Sequence, residues 1–89
     1  MVVDNVALSR FELEVSGHVA FSKYRRDNGV VTFIHTEVPD ALAGKGVGSA
    51  LAKGALDLVR ASGEKAIPKC PFIRSFIEKH PEYQDLVVG

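Results

Sequence analysis

Midway along this chain the hydrophobic period changes, and glycines at alternate positions mark the change. Gly44, Gly46 and Gly48 stand between a β-branched run, Val30 to Thr36, and a run whose apolar residues recur at helical spacing. A loop stripped of side chains at a strand-to-helix junction lets backbone N–H groups come close to a ligand. The helix behind it adds unpaired N–H groups and the positive end of its dipole. The pattern predicts a seat for a phosphate or pyrophosphate.

The flanking elements follow from period and punctuation. Phe11, Leu13 and Val15 alternate with Glu12 and Glu14, the pattern of a half-buried strand. Ser16-Gly17 reads as a turn and His18 to Arg26 as a second strand. Asn28-Gly29 between two β-type runs signals a hairpin. The third strand, Val30 to Thr36, ends before Pro39, which lacks a ladder donor. After the glycines, Val47, Leu51, Ala55 and Leu58 with Ala52, Leu56 and Val59 form the apolar face of a helix. Ser49, Lys53, Asp57 and Arg60 form its polar stripe, and Ser62-Gly63 stops it. Glu64 to Lys69 reads as a fourth strand, interrupted by Pro68. A last helix starts at Pro71, runs through Phe72, Ile73, Phe76 and Ile77, and ends before Pro81. The order is βββαβα, an α+β fold with a mixed sheet: an antiparallel meander plus one parallel βαβ unit with a right-handed crossover. One compact domain over residues 1–89 is expected, with its ordered core at about 9–86 and the first few residues loose.

Composition narrows the partners. Eleven basic and eleven acidic side chains cancel, which leaves no electrostatic footprint for nucleic acid or an anionic membrane. The apolar runs are too short to span a bilayer, and Met1 to Asn5 lacks the basic and apolar regions of a signal peptide. The one cysteine excludes an internal disulfide framework and suits a reducing compartment. A cytoplasmic protein, monomeric or weakly dimeric through a free sheet edge, is the expectation.

Two familiar phosphate loops fail on spacing. A P-loop requires Ser or Thr directly after Gly-Lys, where Gly46 follows Gly44-Lys45. A dinucleotide fingerprint counted from Gly44 wants Gly or Ala where Ser49 stands, and its fold needs more βα units than this length contains. A plain connecting turn remains as the bland alternative.

The surviving arrangement resembles the GNAT acetyltransferase superfamily. Its acyl-CoA motif, (Gln/Arg)-x-x-Gly-x-(Gly/Ala), falls on Ala43-Gly44-Lys45-Gly46-Val47-Gly48. Gly46 and Gly48 match it, whereas Ala43 replaces the leading Gln or Arg, with Lys45 the nearest cation. The chain is most similar to a compact branch of small GNAT-like proteins. The markers are His35-Thr36-Glu37-Val38-Pro39, Gly44 to Leu51, Cys70-Pro71-Phe72-Ile73-Arg74 and Phe76 to Tyr83. The resemblance implies acetyl-CoA as donor, an amine as acceptor (metabolite or protein), and no metal. It places the pantetheine arm against the backbone of Glu37 and Val38, with an N–H near Val38 facing the oxyanion. The pyrophosphate would rest on Gly44, Lys45, Gly46, Val47, Gly48 and Ser49. Larger relatives carry helices between the first two strands that build the acceptor site, and this chain has no room for them. A non-catalytic acyl-CoA-binding module is therefore the alternative to an N-acetyltransferase.

Three side chains are candidates for the chemistry. Cys70, just before the N-terminus of the last helix and beside Lys69, could act as nucleophile or general acid at the thioester, or simply fill space as a small hydrophobe. The resemblance favours the first, because the small branch carries a cysteine in this Cys-Pro-Phe context. His35 and Glu37 share a face of the third strand if its pleat is regular, and either could take the proton of an ammonium acceptor. Their bland readings are a satisfied histidine and a solvated carboxylate, and a bulge near Thr36 would change the facing. Tyr24, Arg25 and Arg26 could line an acceptor groove or form a solvated hairpin end. His80 is read as a cap for the last helix.

Overall fold

The computed structural model describes Met1–Gly89. A five-stranded sheet runs β1-β2-β3-β4-β5, with β1 at Val3–Asn5, β2 at Arg10–Val15, β3 at His18–Asp27, β4 at Val30–Glu37 and β5 at Lys65–Pro68. Its first four strands pair antiparallel, and β5 lies parallel to β4. Helix α1 (Val47–Ala61) makes the crossover, and α2 (Pro71–Lys79) follows β5. The expected meander and parallel unit are both present, with a strand added at the front.

That strand corrects the expectation of a loose N-terminus. Asp4 accepts hydrogen bonds from Tyr24 and from Arg26, the latter at 3.0 Å, so residues 20 and more positions away hold β1 against β2. A single turn of 3-10 helix, Val6–Leu8, then reverses the chain into β2. Both hairpin turns take left-handed backbone: Ser16 and Gly17 at φ 52° and 78°, Asn28 and Gly29 at φ 51° and 77°. Such turns match the right-handed twist of the strands they join.

The core lies on one side of the sheet. Phe11, Leu13, Ala20, Tyr24, Val31, Phe33 and Ala66 face both helices. Val47, Leu51, Ala52, Ala55, Leu56 and Val59 meet them from α1, and Ile73, Phe76 and Ile77 from α2. Leu58, expected on the buried stripe, is 37% exposed at its margin. The α1 C-terminus closes as the glycine signal predicts: Gly63 N–H donates to the Arg60 carbonyl and Glu64 N–H to that of Val59. Past α2 the chain does not simply stop at Pro81. A 3-10 segment, Pro81–Leu86, buries Tyr83 and Leu86, and Val87 then bridges Ala66, covering the outer edge of β5. The other face of the sheet carries no helix.

Candidate functional site

A β-bulge on β4 sets the geometry of the site. Lys23 pairs with His35 and Tyr24 with Phe33, so Ile34 is the extra residue. Before it, Val31 and Phe33 point into the core. A regular pleat would send His35 inward with them. The extra residue inverts the alternation: His35 and Glu37 turn to the open face, and Thr36 turns toward the helices.

The two halves of the predicted catalytic set are thereby separated. His35 Nε2 lies 3.1 Å from Glu37 Oε2, and both side chains are well exposed, at 58% and 60%. They share one face, as expected, because the bulge precedes both and leaves their two-residue spacing intact. Cys70 sits on the opposite side of β4, 4% exposed, at the N-cap of α2. Its N–H donates to the Phe33 carbonyl at 2.9 Å, and its Sγ shares a hydrogen bond with Thr36 Oγ1 at 3.4 Å. Thr36 Oγ1 also meets Ser22 Oγ at 3.0 Å. Ser22 is fully buried, and its hydroxyl is satisfied through Thr36, at one end of a Ser22-Thr36-Cys70 chain. Sequence reading missed Ser22 and Thr36. Ser22 carries no motif, Thr36 enters only within the His35 to Pro39 marker with no role of its own, and the signal that selects Thr36, a bulge two positions earlier, is not written in residue type.

The strands also part here. The last pair between β4 and β5 is Phe33 with Pro68, so from Ile34 to Glu37 no strand covers the edge of β4 that β5 follows elsewhere. Val38 and Pro39 lead out of β4, a short 3-10 turn (Asp40–Leu42) buries Leu42, and the glycine loop follows. Gly46 is the N-cap of α1 with φ 71°, left-handed backbone that excludes a β-carbon at little cost only in glycine. The N–H groups of Gly46, Val47, Gly48 and Ser49 have no partner within the protein, whereas Ala50 N–H already bonds the Gly46 carbonyl. Gly48 leaves room for the Phe72 ring, whose far end would have to shift to admit a larger residue. A β-carbon there would stand 2.8 Å from Cζ of Phe72 and 3.5 Å from Cγ2 of Val38. The Phe72 ring, 41% exposed, thus lies across the start of α1 near the end of β4.

The remaining candidates divide. Tyr24 is buried, and burial, then its hydrogen bond to Asp4, pushes its hydroxyl up to about 12. Arg26 bonds Asp4, Glu64 and the Tyr24 hydroxyl. Both serve the anchoring of β1, which removes them from an acceptor groove. Arg25 alone of the three lies on the open face. His80 caps α2 as expected, with Nδ1 2.8 Å from the Phe76 carbonyl and its ring stacked on Phe76. No cluster of three or more metal-binding side chains exists, and no helix is long and apolar enough to cross a membrane.

Known proteins resemble this chain in sequence and in fold. Protein NATD1 of Homo sapiens and of Bos taurus are each 42% identical over 52 residues, which cover 58% of this chain and 46% of theirs. The chain thus spans about half the length of the curated relatives it matches. The solution structure of a GCN5-like protein from Staphylococcus aureus superposes with a TM-score of 0.73 at 30% identity, covering 100% of this chain and 88% of that one. The family described as GCN5-related N-acetyl-transferase matches residues 10–86, nearly all of the sheet and both helices. A chain that matches that family's model over residues 10–86, and superposes over its whole length on a GCN5-like structure, belongs to the GCN5-related N-acetyltransferase family.

Proposed function

We propose that this chain is an acetyl-CoA-dependent N-acetyltransferase of the small Cys-Pro-Phe branch, folded as one domain, with an amine as acceptor. The observation that carries the reading is the row of unpaired N–H groups from Gly46 to Ser49, set beside the uncovered end of β4. The residues present fit a pyrophosphate: the loop from Ala43 to Ala50 has Lys45 and no carboxylate, and its N–H groups converge at the positive end of a 15-residue helix. Lys45 stands in for the cation missing at Ala43. The backbone of Glu37 and Val38 would hold the pantetheine arm as a strand holds an added strand. Bound acetyl-CoA would supply the activated acetyl thioester.

The chain's own groups then divide the proton traffic between the two faces of β4. On the open face, Glu37, assisted by His35, takes the proton of an incoming ammonium so that the amine can attack. On the packed face, the Cys70 thiol, held by Thr36, would be the proton donor to the coenzyme A sulfur as it leaves. An N–H near Val38 would stabilise negative charge on the thioester carbonyl oxygen. The bareness of the open face favours the second reading, a module that binds acyl-CoA without transfer.

Residue-resolved NMR titration with coenzyme A tests the cofactor assignment, with shifts expected at residues 44–50 and at Glu37 and Val38. No movement at 44–50 rejects it. Free-thiol release from acetyl-CoA across polyamines, lysine peptides and small amines separates the two readings, and silence with every amine after a positive titration selects the binding module. Cys70→Ala and Glu37→Gln should each slow amine-dependent release at least tenfold. Full activity in Cys70→Ala removes the thiol from the mechanism.

A further inference from the structure

The open face of the sheet sorts its charges along β3 and β4 in a way that bears on the acceptor. Glu37, opposite Phe21, stands at the end where β4 separates from β5. Lys23, opposite His35, and Arg25, opposite Thr32, follow along the same face of β3. Both cations are exposed and neither has a carboxylate or hydrogen-bond partner, although the other arginines on and around the sheet are engaged. Arg10 is paired with Glu12 and lies over the Phe21 ring at 4.4 Å. Beyond Lys23, a groove of about 380 Å³ opens between Arg25, Thr32 and Ile67, with Val30 and Asn28 at its far end. Asp27 closes that end and marks where the positive stretch stops.

From these observations we infer that the acceptor is a zwitterionic amine, a small molecule with an anionic group at a distance from its ammonium. Its ammonium lies against Glu37 and His35, its chain crosses Ile34 and Thr32, and its anion meets Lys23 and Arg25. At the rise of an extended strand, Lys23 and Arg25 stand roughly 7 and 14 Å along β3 from the level of Glu37. An acceptor spanning a separation of that order satisfies both ends, whereas a polyamine would bring a second cation against Lys23 and Arg25. The inference rests on the acetyltransferase reading for the role of Glu37, but the charge pattern is tested without turnover.

The experiment is an amide-resolved NMR titration of the full chain with 6-aminohexanoate, cadaverine and hexylamine in low salt. Expected are shifts at Phe21, Lys23, Arg25 and residues 34–37, with 6-aminohexanoate binding about fivefold tighter than either comparator, the gain of one or two exposed ion pairs. Lys23→Glu/Arg25→Glu should abolish that preference and turn it toward cadaverine. Both positions are on the surface, and unchanged amide spectra elsewhere verify the fold. Equal affinities, a preference for the diamine in the unaltered protein, or no shift on this face with any of the three overturns the inference. A capped Lys-Glu peptide carries the same two charges. Tighter binding of the peptide than of 6-aminohexanoate, still lost in the double variant, assigns the face to protein lysines and overturns the small-molecule acceptor. Coenzyme A titrated separately reports on residues 44–50, so failure of the cofactor reading and failure of this one are read at different amides.

Discussion

Replacing Thr36 with valine keeps its shape and deletes its hydroxyl, and the structure fixes what that deletion costs. Thr36 Oγ1 is the only partner of Ser22 Oγ, at 3.0 Å, and Ser22 is fully buried. Thr36→Val leaves a desolvated hydroxyl unpaired, which costs about 1–3 kcal/mol. Ser22→Ala removes the stranded group itself, while Thr36 keeps the Cys70 thiol at 3.4 Å. Its cost is the loss of one hydrogen bond, about 1 kcal/mol. In Ser22→Ala/Thr36→Val nothing polar is stranded between the two positions. The double variant should then lose about 1–2 kcal/mol less than the sum of the singles, because both partners have become apolar. Urea unfolding of the four proteins at neutral pH measures this. In a chain of this size each 1 kcal/mol also moves Tm by roughly 4–8 °C. Additivity within about 0.5 kcal/mol refutes the coupling, and with it the claim that the bulge at Ile34 delivers Thr36 to a buried partner.

Two further outcomes follow from the anchoring of β1. Gly54→Ala should gain about 1 kcal/mol of helix propensity but lose more, because the new carbon stands 2.6 Å from the β-carbon of Val2. Faster amide exchange at Val3–Asn5 is the expected readout, and Val2→Gly should restore protection; unchanged exchange would show that the N-terminal segment moves aside freely. Tyr24 holds its proton up to about 12, against an ordinary value of 10.0, because burial disfavours its anion. Between those values the unfolded chain has lost a proton that the folded one keeps, so stability present below about pH 10 is lost progressively as pH rises toward about 12. Tyr83 is raised in the same direction, first by burial and then by its bond to Asp57. Urea midpoints from about pH 9 to about pH 12 should fall less steeply in Tyr24→Phe; an equal slope in both proteins would locate the alkaline loss elsewhere.

Legibility tracked the range of the interactions involved. Turns, caps and the amphipathic helix depend on neighbours within a few residues, and Ser16-Gly17, Asn28-Gly29, Gly63 and Pro71 all punctuate the chain where the structure does. The N-terminal strand depends on Asp4 finding Tyr24 and Arg26, and the 3-10 segment after Pro81 depends on Tyr83 reaching Asp57 at 2.7 Å. Neither pairing leaves a local signature. The site shows the same division. The glycine loop was readable because backbone conformation and close approach select glycine at Gly46 and Gly48, whereas the side chains around it were assigned from position along a strand assumed to be regular.

Residue order alone determines the elements from β2 to α2 and their sequence: strands with period two, a glycine-rich junction, and helices with period 3.6, whose short connections leave a meander and one crossover. It also determines that His35 and Glu37 share a face, since they are two residues apart in a strand. Which face they share was decided by tertiary structure. One extra residue in β4 reverses every side chain after it, and whether a strand bulges depends on its pairing with both neighbours rather than on its own composition. That single shift puts His35 and Glu37 beside the free cations of the open sheet and sends Thr36 inward to Ser22 and Cys70.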